Sequence, residues 1–477
     1  MNPVLHHLFF KTRQLLSSKN TFLVLWLVFF GIIAFDIYLF RNDLMRGGDF
    51  YTYMYYTNGL HKGVYSYWYF LDDYIPDTFR NPGFAFVIYL LSFISQSQYT
   101  LVVVNFAAFT GAIWLMFKII DKLQLTKDYT IKNMLMLLLI LNAHLPFYIN
   151  LYYPEVVMFF LIVLIVYLDL HLSKRKMSTY LILGLLYGFV FQVRPVILFY
   201  PFIKFGVDIF IQRKNFPVLK NLILLVVFVS TMLPYGYWNY KNHGIFSTTS
   251  LEGGGGVMHL SYWGFKMPDY LETRYWRNVT QKDLITFTPD EDVPKNIAAF
   301  NKEWDYIDSS CAQYLTDKDR KNLPLMQKYP DLFVTYNGRY TYEREKLLKK
   351  LSVQHFLNDP WFTLKVKTYT LFRLWVTGIK QMTFESRDPL VIFKGVVPAL
   401  VTGFTLLLAL IFIPLAMIRK KFNYPMLLPA LVLAAYYGMI HVPFAIQARY
   451  TVPVRPLLMM ITVVCIYQLY FRKEQEA

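Results

Sequence analysis

Cysteine is nearly missing from this chain: among 477 residues only Cys311 and Cys465 occur. A disulfide framework or a cysteine-rich metal knuckle is therefore excluded as the organising device. Charge is thin as well, at 17% of residues against roughly 25% in an ordinary soluble chain. Acids are the scarcer kind, 31 against 48 lysines and arginines. No HExxH, paired CxxC, P-loop or supported GxSxG occurs, so the familiar soluble chemistries have no foothold. Internal repeats are absent, and low complexity is confined to "EGGGG" at 252–256.

What the chain has instead is apolar length. Long runs occupy Thr21–Phe40, Leu101–Phe117, Asn133–Ile149, Val156–Leu170, Leu181–Val193, Val196–Ile211, Leu222–Tyr237, Leu390–Ile418, Met426–Val442 and Tyr450–Phe471. Each approaches the roughly 20 residues that cross a bilayer core. The expectation is an all-α polytopic membrane protein, a bundle of about ten or eleven transmembrane helices. The first run is too long for a cleaved leader and lacks a small-residue cleavage site, so it reads as a retained span.

Basic residues gather in one set of short connectors, such as Lys118–Lys132, Lys174–Lys176, Arg213–Lys220 and Arg419–Lys421. The positive-inside rule assigns that face to the cytoplasm, with both termini inside. Their dispersal over membrane loops argues against a nucleic-acid partner. Counting Asn81–Gln96 as a span would invert the Lys118–Lys132 loop, so it is expected as a juxtamembrane helix at the outer interface. The chain then divides into an N-terminal transmembrane core over 1–240, with a first outer loop at 41–98, a large and mainly helical extracytoplasmic domain over 241–388, and C-terminal helices over 389–477. In that domain Leu347, Leu348, Leu351 and Phe356 mark one face of a helix.

Several ionisable residues fall at the outer ends of apolar segments: Asp49, Arg80, Glu155, Arg194, Arg373, Arg387 and Arg449, with His441 nearby. Charges at the edge of the apolar zone are expensive and point to function. Ordinary explanations exist for each alone. Tyr51–Tyr56 fit an interfacial aromatic belt, Arg373 and Arg387 fit snorkelling to headgroups, and Glu155 after Pro154 suits a helix N-terminus. Gly184 and Gly188 fit close helix packing.

Six segments in order carry a family resemblance. They are the first-loop aspartate with downstream "GLHKGVY", then "RNPGFAFVIYLLSFI", "YYPEVVMFFLIVLIVYL", "GLLYGFVFQVRPVILFYP", "LPYGYWNYKNHGIFSTTS" and "QARYTVPVRPLLMM". Together they resemble the GT-C superfamily of membrane glycosyltransferases, in particular bacterial relatives of the protein O-mannosyltransferase and aminoarabinose transferase families. Two positions depart from that pattern. Phe50 follows Asp49 where the family often has a second acid, and Trp238 stands where relatives commonly have arginine.

The resemblance implies sugar transfer from a polyprenyl-phosphate donor to a lipid, glycan or protein acceptor at the outer face of the cytoplasmic membrane. An acceptor hydroxyl needs a base, and Asp49 is the expected one, with Glu155 orienting the acceptor or an arginine. Arg194 and Arg449, followed by Arg80 and Arg373, are the expected ligands of the donor phosphate. Tyr53, Tyr153, His259 and His441 are expected to line the substrate site. No cofactor is called for; a divalent metal is compatible with this chemistry but not indicated. A transporter or flippase of lipid-linked saccharides, or a subunit without catalysis, would also use a charged outer vestibule.

Overall fold

Ser18 starts the first long helix. Its hydroxyl oxygen accepts from the N–H of Asn20 at 3.1 Å and of Thr21 at 3.4 Å, satisfying donors that a helix start leaves open. From there α1 (Lys19–Phe40) runs through apolar residues, yet only Phe29 and Ile33 are buried. Leu27, for example, is 72% exposed. An apolar surface so little covered by protein fits a helix whose solvent is lipid.

The structure is a computed structural model describing residues 11–41, 48–69, 76, 78–170, 172, 176–252, 254–267, 287–317, 319–320, 337–378, 387–444 and 447–472, with backbone alone for 48–50 and 214. After α1 come α2 (Gly48–His61), α3 (Gly83–Ser92), α4 (Tyr99–Leu123), α5 (Thr130–Leu141), α6 (Glu155–Asp169) and α7 (Met177–Val193). There follow α8 (Tyr200–Gln212), α9 (Val218–Ser230), α10 (Leu233–His243), α11 (Gly254–Trp263) and α12 (Val293–Cys311). The chain ends with α13 (Gly338–Asn358), α14 (Pro360–Trp375), α15 (Pro389–Ile418), α16 (Tyr424–Met439) and α17 (Arg455–Tyr470). Among the described residues there is no strand.

This is a helical membrane-type protein. Among the described residues, five helical stretches are long and apolar enough to cross a membrane: Lys19–Phe40, Tyr99–Leu123, Pro195–Gln212, Val218–His243 and Pro389–Ile418. The other apolar runs are also helical but shorter. Asn133–Ile149 is the clearest case, since α5 stops at Leu141 and a 3-10 turn follows at Pro146–Asn150. Asn142 ends it, turning its side-chain amide back to the carbonyl of Leu138 at 2.8 Å and across to Thr405 at 3.1 Å. Asn81–Gln96 forms only the ten-residue α3, about 15 Å long and too short to span.

The most enclosed helices are α6 and α17, buried along nearly their whole length. Around them α4 and α7 pack on α6, and α5, α15 and α16 on α17. Between α10 and α15 a second core forms from Tyr262, Trp263, Met267, Phe300, Trp304, Ile307 and Leu348, with Leu347, Leu351 and Phe356 against it. This helical unit, here the loop domain, contacts the bundle where α14 meets α16 and the 3-10 turn at Ala448–Thr451.

Gly184 and Gly188 lie one turn apart on α7 and face α9. A Cβ on Gly184 would sit 2.8 Å from the Leu224 carbonyl oxygen, and one on Gly188 would overlap the Thr231 side chain. Gly188→Leu is therefore expected to cost about 1–3 kcal/mol through overpacking, read as a lower thermal midpoint in detergent. Gly206→Ala on α8, where nothing lies within 4 Å, is the control and should leave the midpoint unchanged or slightly raised.

Candidate functional site

Three distant stretches of chain meet at one end of the bundle. Pro154 precedes α6 and puts Glu155 in its first turn, where the helix dipole favours a carboxylate. Pro195 stops α7, leaving Arg194 extended at φ −156°, ψ 117° just past the helix end. The 3-10 turn Ala448–Thr451 brings in Arg449. Glu155 is fully buried; Arg194 Nη2 donates to its Oε1 at 3.2 Å, and Arg449 Nε lies 3.7 Å from the same oxygen. Burying a carboxylate is costly unless it is paired, and the two guanidiniums pair it.

Aromatic rings sheathe the cluster. The Arg194 guanidinium sits 5.0 Å from the centre of Tyr450 and that of Arg449 4.2 Å from the centre of Tyr153. His441 stacks on Tyr450 at 5.1 Å, and its Nδ1 lies 2.7 Å from the Tyr437 carbonyl. A carbonyl only accepts, so Nδ1 carries the proton and Nε2 keeps its lone pair. The Tyr437 hydroxyl lies against the Arg194 guanidinium, while Glu155 Oε2 has no hydrogen-bond partner among the described residues.

A third arginine adjoins the cluster. Arg455 is buried and donates to Thr451 Oγ1 at 2.9 Å, to the Leu374 and Ala448 carbonyls at 2.8 and 2.7 Å, to Thr377 Oγ1, and to His144 Nε2 at 3.3 Å. Every one of these partners is neutral, so its hydrogen bonds are satisfied, and among the described residues no carboxylate pairs with it. Tyr148 lies near Arg455, Glu155 and Arg449 alike and links the two groups. Two guanidiniums thus pair with Glu155, and a third stands next to them across Tyr148, so among the described residues cations outnumber the carboxylate here.

Of the residues singled out in the sequence, Glu155, Arg194, Arg449, Tyr153 and His441 come together. Tyr53 is buried edge-on to Phe84 at 4.8 Å and close enough to Arg194 to bear on its charge. Arg80 sits over the Phe79 ring at 4.2 Å, and its carbonyl accepts from Tyr65 and Tyr235. Arg373 is buried in the last turn of α14, next to the Leu374 carbonyl that Arg455 grips. His259 lies elsewhere, packed in the loop domain against Trp263, Phe300 and Trp304. Asp49 is in the first turn of α2; its side chain lies outside the described residues. Tyr437, Tyr450 and Arg455 were not foreseen. Arg455 had a signal, since Val454-Arg455-Pro456 repeats the tripeptide Val193-Arg194-Pro195.

Comparison with known protein families, with curated proteins and with solved structures finds no match.

The loop domain is seated on this end of the bundle by Lys367. Its Nζ donates to Ser261 Oγ at 2.8 Å and to the Pro443 carbonyl at 3.1 Å, and it lies 4.3 Å from the centre of the Phe356 ring. With no carboxylate among these partners, burial pushes its pKa down to about 7. Above that value the folded chain releases a proton that the unfolded chain keeps up to about 10. Stability therefore rises with pH between the two, at most about 1.4 kcal/mol per unit. The thermal midpoint should climb from pH 7 to pH 9, and Lys367→Met should flatten that climb.

Proposed function

We propose that this chain is a membrane glycosyltransferase of the GT-C type. It moves a hexose or pentose from a polyprenyl-phosphate lipid to a lipid, glycan or protein acceptor. The observation that carries the proposal is the pair of largely buried arginines on the carboxylate of Glu155, with the buried Arg455 next to them across Tyr148. A donor phosphate meets that description. When the sugar leaves, the bond from its anomeric carbon to the phosphate oxygen breaks, and the lipid phosphate gains a negative charge. Arg194 and Arg449 would take up that charge, with Arg455 adding its field from across Tyr148. The acceptor oxygen forms the new bond and loses its proton to Asp49. Glu155 keeps the arginines in place.

In this proposal all ten apolar runs cross the cytoplasmic membrane, the shorter helices at its thinned or protein-lined parts, with both termini inside. The cluster and the loop domain lie on the extracytoplasmic face. What supports the orientation is polarity along the bundle. Glu155, Arg194 and Arg449 sit at one end, while Lys122 reaches the Tyr167 ring and carbonyl at the opposite end of α6.

A carrier of lipid-linked saccharides is the second reading. It is favoured by Lys204 on α8, buried with Asp169 at 2.8 Å and paired with Asp208, beside a cavity lined by Asp169, Tyr200 and Pro429. Ion pairs inside membrane helices commonly mark transport paths. Transfer assays on membranes with polyprenyl-phosphate sugars separate the two. Asp49→Asn should lower the transfer rate by about 100-fold or more, and Arg194→Gln should weaken donor use similarly. Unchanged transfer in Asp49→Asn would remove that base. Movement of lipid-linked sugar across the bilayer without transfer from any donor would establish the carrier.

A further inference from the structure

The loop domain holds a side-chain cluster that the transfer chemistry does not use. His259 on α11, Glu303 on α12 and His355 on α13 converge, with one ligand atom from each within 4.8 Å of the others. The Nε2 of His259 meets Glu303 Oε1, and the Nε2 of His355 lies 2.7 Å from Glu303 Oε2. We propose that these three residues bind one zinc ion, which staples the three helices of the loop domain together.

The donor set selects the metal. Two imidazoles and one carboxylate, without thiolate or carbonyl, form a zinc triad and a poor site for magnesium or calcium. The rings are already fixed. Tyr262 stacks on His355 at 4.6 Å and 9°, while Trp263, Phe300 and Trp304 surround His259. Trp263 Nε1 also donates to Glu303 Oε1 at 3.3 Å, orienting the carboxylate. The His259 side chain is fully buried, whereas those of Glu303 and His355 are 14% and 21% exposed. The cluster therefore opens to solvent on one side, where a water can complete four-coordination.

The Nε2 of each histidine faces Glu303, so on binding the ion would take the place of the two histidine–carboxylate hydrogen bonds. The Nδ1 of His259 is buried without a hydrogen-bond partner. A zinc-binding imidazole usually donates its other N–H to an oxygen; without that support the zinc should come off in chelator. The ion would stabilise the domain through binding linkage. It would also hold α11, whose Ser261 hydroxyl donates to the Pro443 carbonyl at 2.7 Å, in the turn following His441.

The test uses the full chain purified in detergent with a tag free of histidine, stripped with chelator, reloaded with zinc chloride and washed. Elemental analysis should find about one zinc per chain, with Glu303→Gln and His355→Gln each retaining less than about a fifth of that. Zinc should raise the thermal midpoint of the wild-type chain by several degrees, and magnesium should not. Cobalt loaded in place of zinc should give the visible absorption of a four-coordinate ion, a readout on the wild-type chain that needs no variant. Less than a tenth of an equivalent of zinc in the wild-type chain overturns the proposal. So does equal zinc in wild type and variants, or a cobalt spectrum of a purely aqueous ion. The cluster would then be a metal-free pair of histidine–carboxylate hydrogen bonds.

Discussion

A carboxylate sealed from solvent at the end of an apolar bundle must be neutralised, and the arrangement around Glu155 follows from that requirement. Its two guanidinium partners come from the end of α7 and from the turn before α17, more than 250 residues apart along the chain. The ion pair therefore does topological work: it fixes the end of α6 against the two elements that carry the arginines. Removing one partner would leave an uncompensated buried charge, which costs far more than the pair itself contributes. The same rule governs Lys204 between Asp169 and Asp208 at the ends of α6 and α8. Arg455 departs from it: its hydrogen bonds go to neutral groups, and among the described residues no carboxylate pairs with it.

Much of this arrangement was legible in the sequence because membrane folds obey coarse rules. Apolar length announces helices, and prolines beside Glu155 and Arg194 announce helix ends. A charge at such an end must find a partner across the bundle, which is why Glu155, Arg194 and Arg449 could be picked out without knowing their contacts. The small residues Gly184 and Gly188 similarly betray a close approach, here between α7 and α9.

What stayed hidden depends on long-range placement. His259, Glu303 and His355 are separated by 44 and 52 residues in a polar stretch, and no spacing rule joins them. His259 was expected to line the substrate site; the fold packs it in the loop domain against Trp263 and Trp304. The break at Asn142 was equally invisible, because its side chain bonds back to its own helix and across to Thr405, and hydropathy does not register either bond. Arg373 could be read as snorkelling to headgroups or as a phosphate ligand, and the fold buries it in the last turn of α14.

The motifs at the two ends of the proposed reaction are mechanically joined. Gly83, from "RNPGF", lies so close to the backbone of Gln192 and Val193 that a Cβ would overlap it, and Arg194 is the next residue along. Asn81 reinforces the junction: its Oδ1 accepts from the Ser250 N–H at 2.9 Å, tying in the segment that leaves the bundle for the loop domain. On its other side α3 packs against α2, where Phe84 meets Tyr53 one helical turn beyond Asp49. A short rigid stack therefore connects the start of α2 to the arginine beside Glu155. If the aspartate and the arginines act on the two sides of one bond, their separation has to be held to a fraction of an ångström. The glycine at the centre of that stack, with no room for a side chain, is where the fold enforces it.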